Sequence, residues 1–192
     1  GFRARFSPIR SMLTCDPYRL IGVGFPSAFA SPDSFRTATQ IGTGSAGTTL
    51  AGGTATVASG TSASGWAQLH SVRSARFTFA HPLYFRAAVC IPTLVVAANT
   101  RRWGAFTTTS NFTPANGFYF ELSAAGVLSV NRVNAGSIES VASGSFNGDT
   151  LSYTLDTNGH AYEIIYFDMA AWLFVDDLLL HKFTPTTAKL TA

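Results

Sequence analysis

The residues best placed to do chemistry in this sequence are two adjacent carboxylates, Asp176 and Asp177, in the stretch AWLFVDDLLLHKF, with His181 four residues further on. Side chains of these types can form an acid/base pair or part of a cation site. A paired-carboxylate active site, however, needs two acids facing each other across a cleft roughly 5–10 Å wide, and sequence neighbours at a hairpin tip point apart. A calcium loop would add oxygen ligands at DxDxDG spacing, and no such pattern occurs in the chain. Both flanks are apolar, as in two strands joined by a two-residue turn. A type I′ turn requires φ > 0 at both central positions, and Asp is among the few residues other than Gly that accept it. The sequence therefore predicts a hairpin tip at Asp176–Asp177.

The other reactive side chains are dispersed. Glu121, Glu139 and Glu163 each stand alone, with no second acid two or four residues away. Cys15 and Cys90 belong to no CxxC and have no paired His, so four zinc ligands cannot be assembled. They either pair with each other or remain buried thiols. His70, His81, His160 and His181 form no HxH or HExxH pattern and read as exposed or hydrogen-bonded. No GxSxG occurs, and GTGSAG (42–47) lacks the following helix and Lys of a phosphate cradle. The expectation is a non-enzymatic chain with no catalytic residue, no metal and no cofactor.

Composition points to the elements that must carry any binding role. Charged residues are 12% of the 192, about half the usual share, while aromatics reach 13%, with 16 Phe. A surface so poor in charge suits a chain that buries itself against neighbours, which favours a homo-oligomer. No apolar run approaches the roughly 20 residues of a membrane helix, so no membrane span is expected. Residues 1–120 carry ten Arg against only Asp16 and Asp33, while 121–192 carry eight acids against Arg132, Lys182 and Lys189. The Arg are scattered, without the clustering and aromatic platforms of a nucleic-acid footprint, so no nucleic-acid partner is expected.

No window of 11 or more residues holds helical apolar spacing, and short Val/Thr/Phe/Tyr runs alternate with Gly/Asn/Ser/Pro punctuation, which is an all-β pattern. Residues 1–33 differ, with four of the eight prolines and at most one strand near Tyr18–Val23. Proline ends ladders, so this segment reads as an extended arm that docks on a partner through Phe2, Phe6, Phe25 and Phe29. Its beginning, GFRARFSPIRSML, has no continuous apolar core and does not read as a signal peptide. A start at Gly1 implies processing or an upstream segment. Residues 34–192 read as one β-sandwich domain. Two or three slim strands occupy 35–65, followed by heavier ones in GWAQLHSVRS, ARFTFA, YFRAAVCI, TLVVAA and RWGAFTTT. NGFYFELSAAGVLSVNRV is a hairpin with its turn at Ala124–Gly126, AGSIESVASGSF adds a strand, and 161–167, 171–175 and 178–183 form a meander.

The stretch aromatic–x–apolar–Asp–Asp–apolar–apolar, preceded by YEIIY and a turn, resembles the penultimate hairpin of the concanavalin A-like (lectin/laminin-G-like) jelly roll, where Asp-Gly is the usual tip. Together with GWAQLHSVRSARF, RRWGAF, NGFYFEL, VLSV and VASGSFNG, it resembles the lectin-like domains of bacteriophage virion proteins over roughly residues 35–185. That resemblance implies a jelly-roll β-sandwich located in the virion, as a tail fibre, adhesin or accessory head or tail protein, with other virion proteins as partners. Glycoside hydrolases of this fold carry a Glu-x-Asp-x-x-Glu strand, which is absent here. A lectin-like role would use an exposed aromatic flanked by Asn or Arg to hold a host surface glycan. Trp103 with Arg101, Arg102 and Asn99, and Asn116 with Tyr119, are the candidates at strand ends. The competing reading puts the same rings in the core. The expected role is structural, through subunit assembly, with glycan recognition as the alternative.

Overall fold

The computed structural model describes residues 37–41, 46–51, 53–62, 65–71, 82–109 and 112–184. The arm at 1–33, with its four Phe and the strand expected near Tyr18, and the strand expected in ARFTFA lie outside the described residues. Among the described residues there is no helix, and hence none long and apolar enough to cross a membrane. Their strands belong to two compact units that divide between residues 75 and 76.

The first unit holds the slim strands. β1 (Thr37–Ile41) pairs antiparallel with β4 (Ala67–Ser71), and β2 (Gly47–Ala51) forms a hairpin with β3 (Thr54–Ala58). Gly53, at φ 80°, turns the hairpin, and the Thr54 hydroxyl donates to the Ala51 carbonyl at 2.8 Å.

The second unit packs two four-stranded antiparallel sheets. One has the order β12–β11–β10–β5, from β5 (Leu83–Cys90), β10 (Gly159–Phe167), β11 (Ala170–Val175) and β12 (Leu178–Phe183). The other has the order β6–β7–β8–β9, from β6 (Arg101–Thr108), β7 (Pro114–Leu122), β8 (Leu128–Asn134) and β9 (Ser137–Ala142). The chain crosses between the sheets twice, from β5 to β6 and from β9 to β10. Because side chains alternate along a strand, every second residue faces the opposite sheet. Phe118, Phe120, Leu122, Leu128 and Val130 thereby share one core with Tyr162, Ile164, Tyr166, Leu173, Val175 and Phe183. Trp103 stacks on Phe120 and meets the edge of Tyr162 at 4.9 Å, and Phe118 lies 5.5 Å from Tyr166. The arrangement is a β-sandwich, with each buried aromatic contributing about 2–3 kcal/mol.

The turns match the twist of these sheets. Ala135–Gly136, Asp168–Met169 and Asp176–Asp177 all have two successive positive φ angles, the signature of the I′ hairpin. The tip expected at Asp176–Asp177 is therefore present, with φ values of 49° and 65°. The β7–β8 turn also falls where expected, closed by the Gly126 N–H donating to the Ser123 carbonyl at 3.0 Å.

Three expectations are corrected. TLVVAA forms no strand: Pro92 precedes it, Ala98 has φ 57°, and the Asn99 N–H closes a turn on the Val96 carbonyl. Val95 and Val96 are consequently exposed. Cys90 is an exposed free thiol, not a buried one, and it donates to the Thr157 carbonyl at 3.3 Å. His181 is buried with its Nδ1 unpartnered, packed 4.7 Å from Phe183, and burial holds its pKa below the ordinary histidine value.

The segment 143–158 guards the free edge of β12. The Gly148 and Asp149 N–H groups donate to the Leu180 and Leu179 carbonyls. The Asn147 and Asp149 side chains accept from the Lys182 and Leu179 N–H groups at 2.7 and 2.9 Å. Side chains and backbone here stand in for a neighbouring strand and leave the edge closed to unwanted pairing. Gly148 approaches so closely that a Cβ there would lie 2.1 Å from the Leu179 carbonyl oxygen.

Close approach also fixes two glycines in the β6–β7 ladder. Gly104 lies opposite Tyr119 and Gly117 opposite Phe106, and the two aromatic rings, 4.9 Å apart, cover the space that the glycines leave. A Cβ at Gly117, where φ is 126°, would sit 2.3 Å from the Ala105 carbonyl oxygen. Gly117→Ala is expected to lose about 2–3 kcal/mol. Gly159→Ala, whose added methyl meets nothing within 4 Å, should change stability by less than about 0.5 kcal/mol. Urea-denaturation midpoints of the two variants measure the difference.

Candidate functional site

The outward face of the β5–β10–β11–β12 sheet carries four aromatic groups, two exposed and two half-buried. Register aligns its side chains in two rows across all four strands. Tyr84, Ile165, Trp172 and Lys182 form one, and Arg86, Glu163, Phe174 and Leu179 form the other. With strands about 4.8 Å apart and same-face residues about 7 Å apart along a strand, the rows make a platform roughly 15 Å by 7 Å. Tyr84 is 56% exposed and Phe167, at the end of β10, is 41% exposed, while Trp172 and Phe174 are half-buried and Ile165 between Tyr84 and Trp172 is buried. The inward residues of the same strands fill the core, so the platform rests on rigid backbone.

Polar groups sit in fixed positions on this face. Arg86 Nε lies 3.1 Å from Glu163 Oε1, and Tyr84 hydrogen-bonds to the same carboxylate. Burial, followed by the bond to Glu163 and the charge of that carboxylate, pushes the Tyr84 phenol up to about 12, so it is a neutral donor at any physiological pH. The Lys182 ammonium lies over the Trp172 ring at 5.3 Å, a cation–π contact. Flat rings beside a fixed donor, acceptor and guanidinium can stack on apolar surface and orient it by hydrogen bonds. These are the properties of a docking surface.

The residues expected to hold a glycan are placed otherwise. Asn99, Arg101, Arg102 and Trp103 come together where the 91–100 loop enters β6, but with separate tasks. Arg101 donates to the Thr93 and Leu94 carbonyls and pins the loop. Arg102 pairs with Glu121 at 2.6 Å across the outward face. Trp103 is half-buried against Phe120 and Tyr162, with its Nε1 unpartnered. Asn116 lies at the far end of β7, roughly 20 Å along the strand from the residue opposite Arg101, where its Oδ1 accepts the Ala135 N–H at 2.8 Å. Tyr119 is buried. The Tyr84–Trp172–Phe174 face was missed in the sequence. Its signal was that LYFRAAVC, YEIIYF and AAWLFV are apolar at both parities, where a strand with one solvated face alternates.

A second cluster lies at the end of the same sheet. His160, mostly buried at the start of β10, sits between two carboxylates, with Nδ1 2.6 Å from Asp176 Oδ2 and Nε2 2.9 Å from Asp156 Oδ1. Both ring nitrogens are occupied, so neither is free as a metal ligand. Among the described residues no group of three or more His, Cys, Asp or Glu could hold a metal ion. The Asp176 of the opening motif thus belongs with His160, sixteen residues earlier, and not with His181 on the core side.

No family model, no curated protein and no solved structure matches this chain.

The two turn carboxylates make separable predictions. Asp177, at φ 65°, gains from losing its Cβ, so Asp177→Gly should raise stability by about 0.5–1 kcal/mol. Asp176→Gly should lower it despite a similar φ, because its carboxylate also accepts the Ala161 N–H at 2.8 Å and holds His160. Thermal unfolding of the two variants checks the opposite signs.

Proposed function

We propose that this chain is a non-enzymatic structural component of a phage-like particle, acting through subunit assembly with other virion proteins and with further copies of itself. In this reading the second unit is part of a concanavalin A-like jelly roll, supported by the two sheet-to-sheet crossings, and residues 1–33 are a docking arm. The observation that carries the assembly role is the aromatic platform. Tyr, Trp, Phe and Arg are the side chains that interfaces favour. Here they are aligned in register on a rigid sheet, beside a composition poor in the charges that keep a free monomer soluble.

A second reading, recognition of a host surface glycan, is favoured by one feature of the same face. The Tyr84 phenol, Glu163 carboxylate and Arg86 guanidinium form a polar row-end beside Trp172, and sugars are held by a ring under their C–H face with hydrogen bonds at the rim. This reading moves the stacking ring from Trp103 to Trp172.

Light scattering of the purified chain after size exclusion tests the assembly role. The wild type is expected to be oligomeric, and Trp172→Glu, with unchanged circular dichroism, should lower its mass. A wild-type chain that is monomeric at its highest soluble concentration overturns self-association through this face. On a glycan array, binding abolished by Trp172→Ala and kept by an equally folded Trp103→Ala would establish the glycan reading instead.

A further inference from the structure

We infer that Asp156, His160 and Asp176 form a proton-operated clasp that fastens the 143–158 segment to the tip of the β11–β12 hairpin, and that loss of one imidazole proton releases it. The inference rests on stoichiometry at the ring. Both nitrogens lie within hydrogen-bond distance of a carboxylate oxygen, at 2.6 and 2.9 Å. Carboxylates only accept, so both bonds exist together only when both nitrogens carry protons, in the imidazolium. A neutral imidazole has one N–H and would turn a lone pair on the other carboxylate.

The two carboxylates differ in how firmly they are held. Asp176 is fixed by the sheet: its Oδ1 accepts the Ala161 N–H at 2.8 Å, and its own N–H donates to the Ala161 carbonyl at 2.8 Å. Asp156 lies in the connecting segment and is held by its own turn, through the Asn158 N–H at 2.7 Å and the Asn158 side chain at 2.9 Å. On deprotonation the remaining proton stays on Nδ1 toward Asp176, and the Asp156 side lets go. Released with it is Leu155, now buried in the core, while Tyr153 stays tied to Ser143, whose hydroxyl accepts its N–H at 2.8 Å and donates to its carbonyl at 2.9 Å. The far end of the segment stays anchored, because its bonds to β12 at residues 147–149 involve no titrating ring.

The groups around the ring set the direction of its titration. Asp156 and Tyr153 approach from the segment, Asp176 from the hairpin tip and Tyr162 from β10 at 6.4 Å between ring centroids, while β5 places the apolar Val89 opposite His160. The bond to Asp176 raises the His160 pKa above the ordinary value, against the opposing effect of burial, and the bond to Asp156 adds to the rise. Asp176 is lowered, first by the bond to His160, and Asp156 first by the Asn158 N–H and then by His160. A raised imidazole pKa contributes stability that is complete below the unfolded value and is lost as pH rises through the folded one. The lowered carboxylates contribute stability that is lost only as pH falls through their folded values. The clasp is therefore closed below the raised folded-state value of His160 and opens as pH rises through it.

Histidine-ring NMR on the full chain, combined with amide exchange corrected for intrinsic rate, tests this between pH 5.5 and 9.5. His160 should titrate above 6.5. Protection of the amides between Thr154 and Asn158 should fall through the same transition. Protection in β7 and β8 should not change. Asp156→Asn keeps an acceptor for the Asn158 N–H but removes the charge; it should lower the His160 pKa and move the loss of protection in 154–158 to lower pH than in the wild type. A His160 that titrates at or below 6.5, or exchange in 154–158 that ignores its titration in wild type and variant alike, overturns the clasp.

Discussion

The packing of Phe118, Phe120 and Leu122 of β7 against Tyr162, Ile164 and Tyr166 of β10 governs what every other residue of the second unit can do. These are the central strands of the two sheets. Once their inward residues are buried, the two-residue period of the strand fixes the outward set: Tyr119 and Glu121 on one sheet, Glu163 and Ile165 on the other. A shift of one residue in either strand would turn a carboxylate into the core, at a cost of several kcal/mol. Register is thus enforced by the core, and register is what aligns Tyr84 with Trp172 and Arg86 with Phe174 across strands far apart in sequence.

Closing a sandwich leaves edges, and several polar residues of the second unit meet the backbone groups exposed there. β12 is an edge strand whose backbone groups are met by Asn147, Gly148 and Asp149. Arg101 does the same for the carbonyls of the 91–100 loop. Arg132 pairs with Glu139 and also donates to the Thr184 carbonyl, joining β8 and β9 to the chain beyond β12. Among the described residues each of these charges meets a partner. Those on the platform are likewise engaged, and the engagement orients them without removing the aromatic surface between them.

How much of this could be read from sequence depended on whether the signal was local. The hairpins at 114–134 and 159–183 were legible almost to the residue, because strand alternation and turn chemistry act within a few positions. TLVVAA misled for the same reason: its β-branched residues favour a strand locally, but Pro92 and the Ala98–Asn99 turn keep it out of both ladders. The site was less legible. Trp103 and Trp172 look alike in sequence, each in an apolar strand next to cationic residues. Only the pairing of β6 with β7 and of β10 with β11 shows that the first turns toward Phe120 and the second to the outward face beside Lys182. The Asp156–His160–Asp176 contact joins residues up to twenty positions apart through two turns, and no periodicity announces it.

Asp176 shows how a turn and a titrating site come to share a residue. A I′ turn asks only for positive φ, which Gly would satisfy at both positions. Gly at the first would leave the Ala161 N–H without its acceptor and the His160 ring without its partner, at a place where β10 has only just begun. Asp costs something in φ and returns a carboxylate that extends the β10–β11 ladder and meets His160. Asp177 carries the same backbone strain, and nothing in the structure explains its side chain. The pair therefore divides by position: the first aspartate is held by what it touches, and the second only by the shape of the turn.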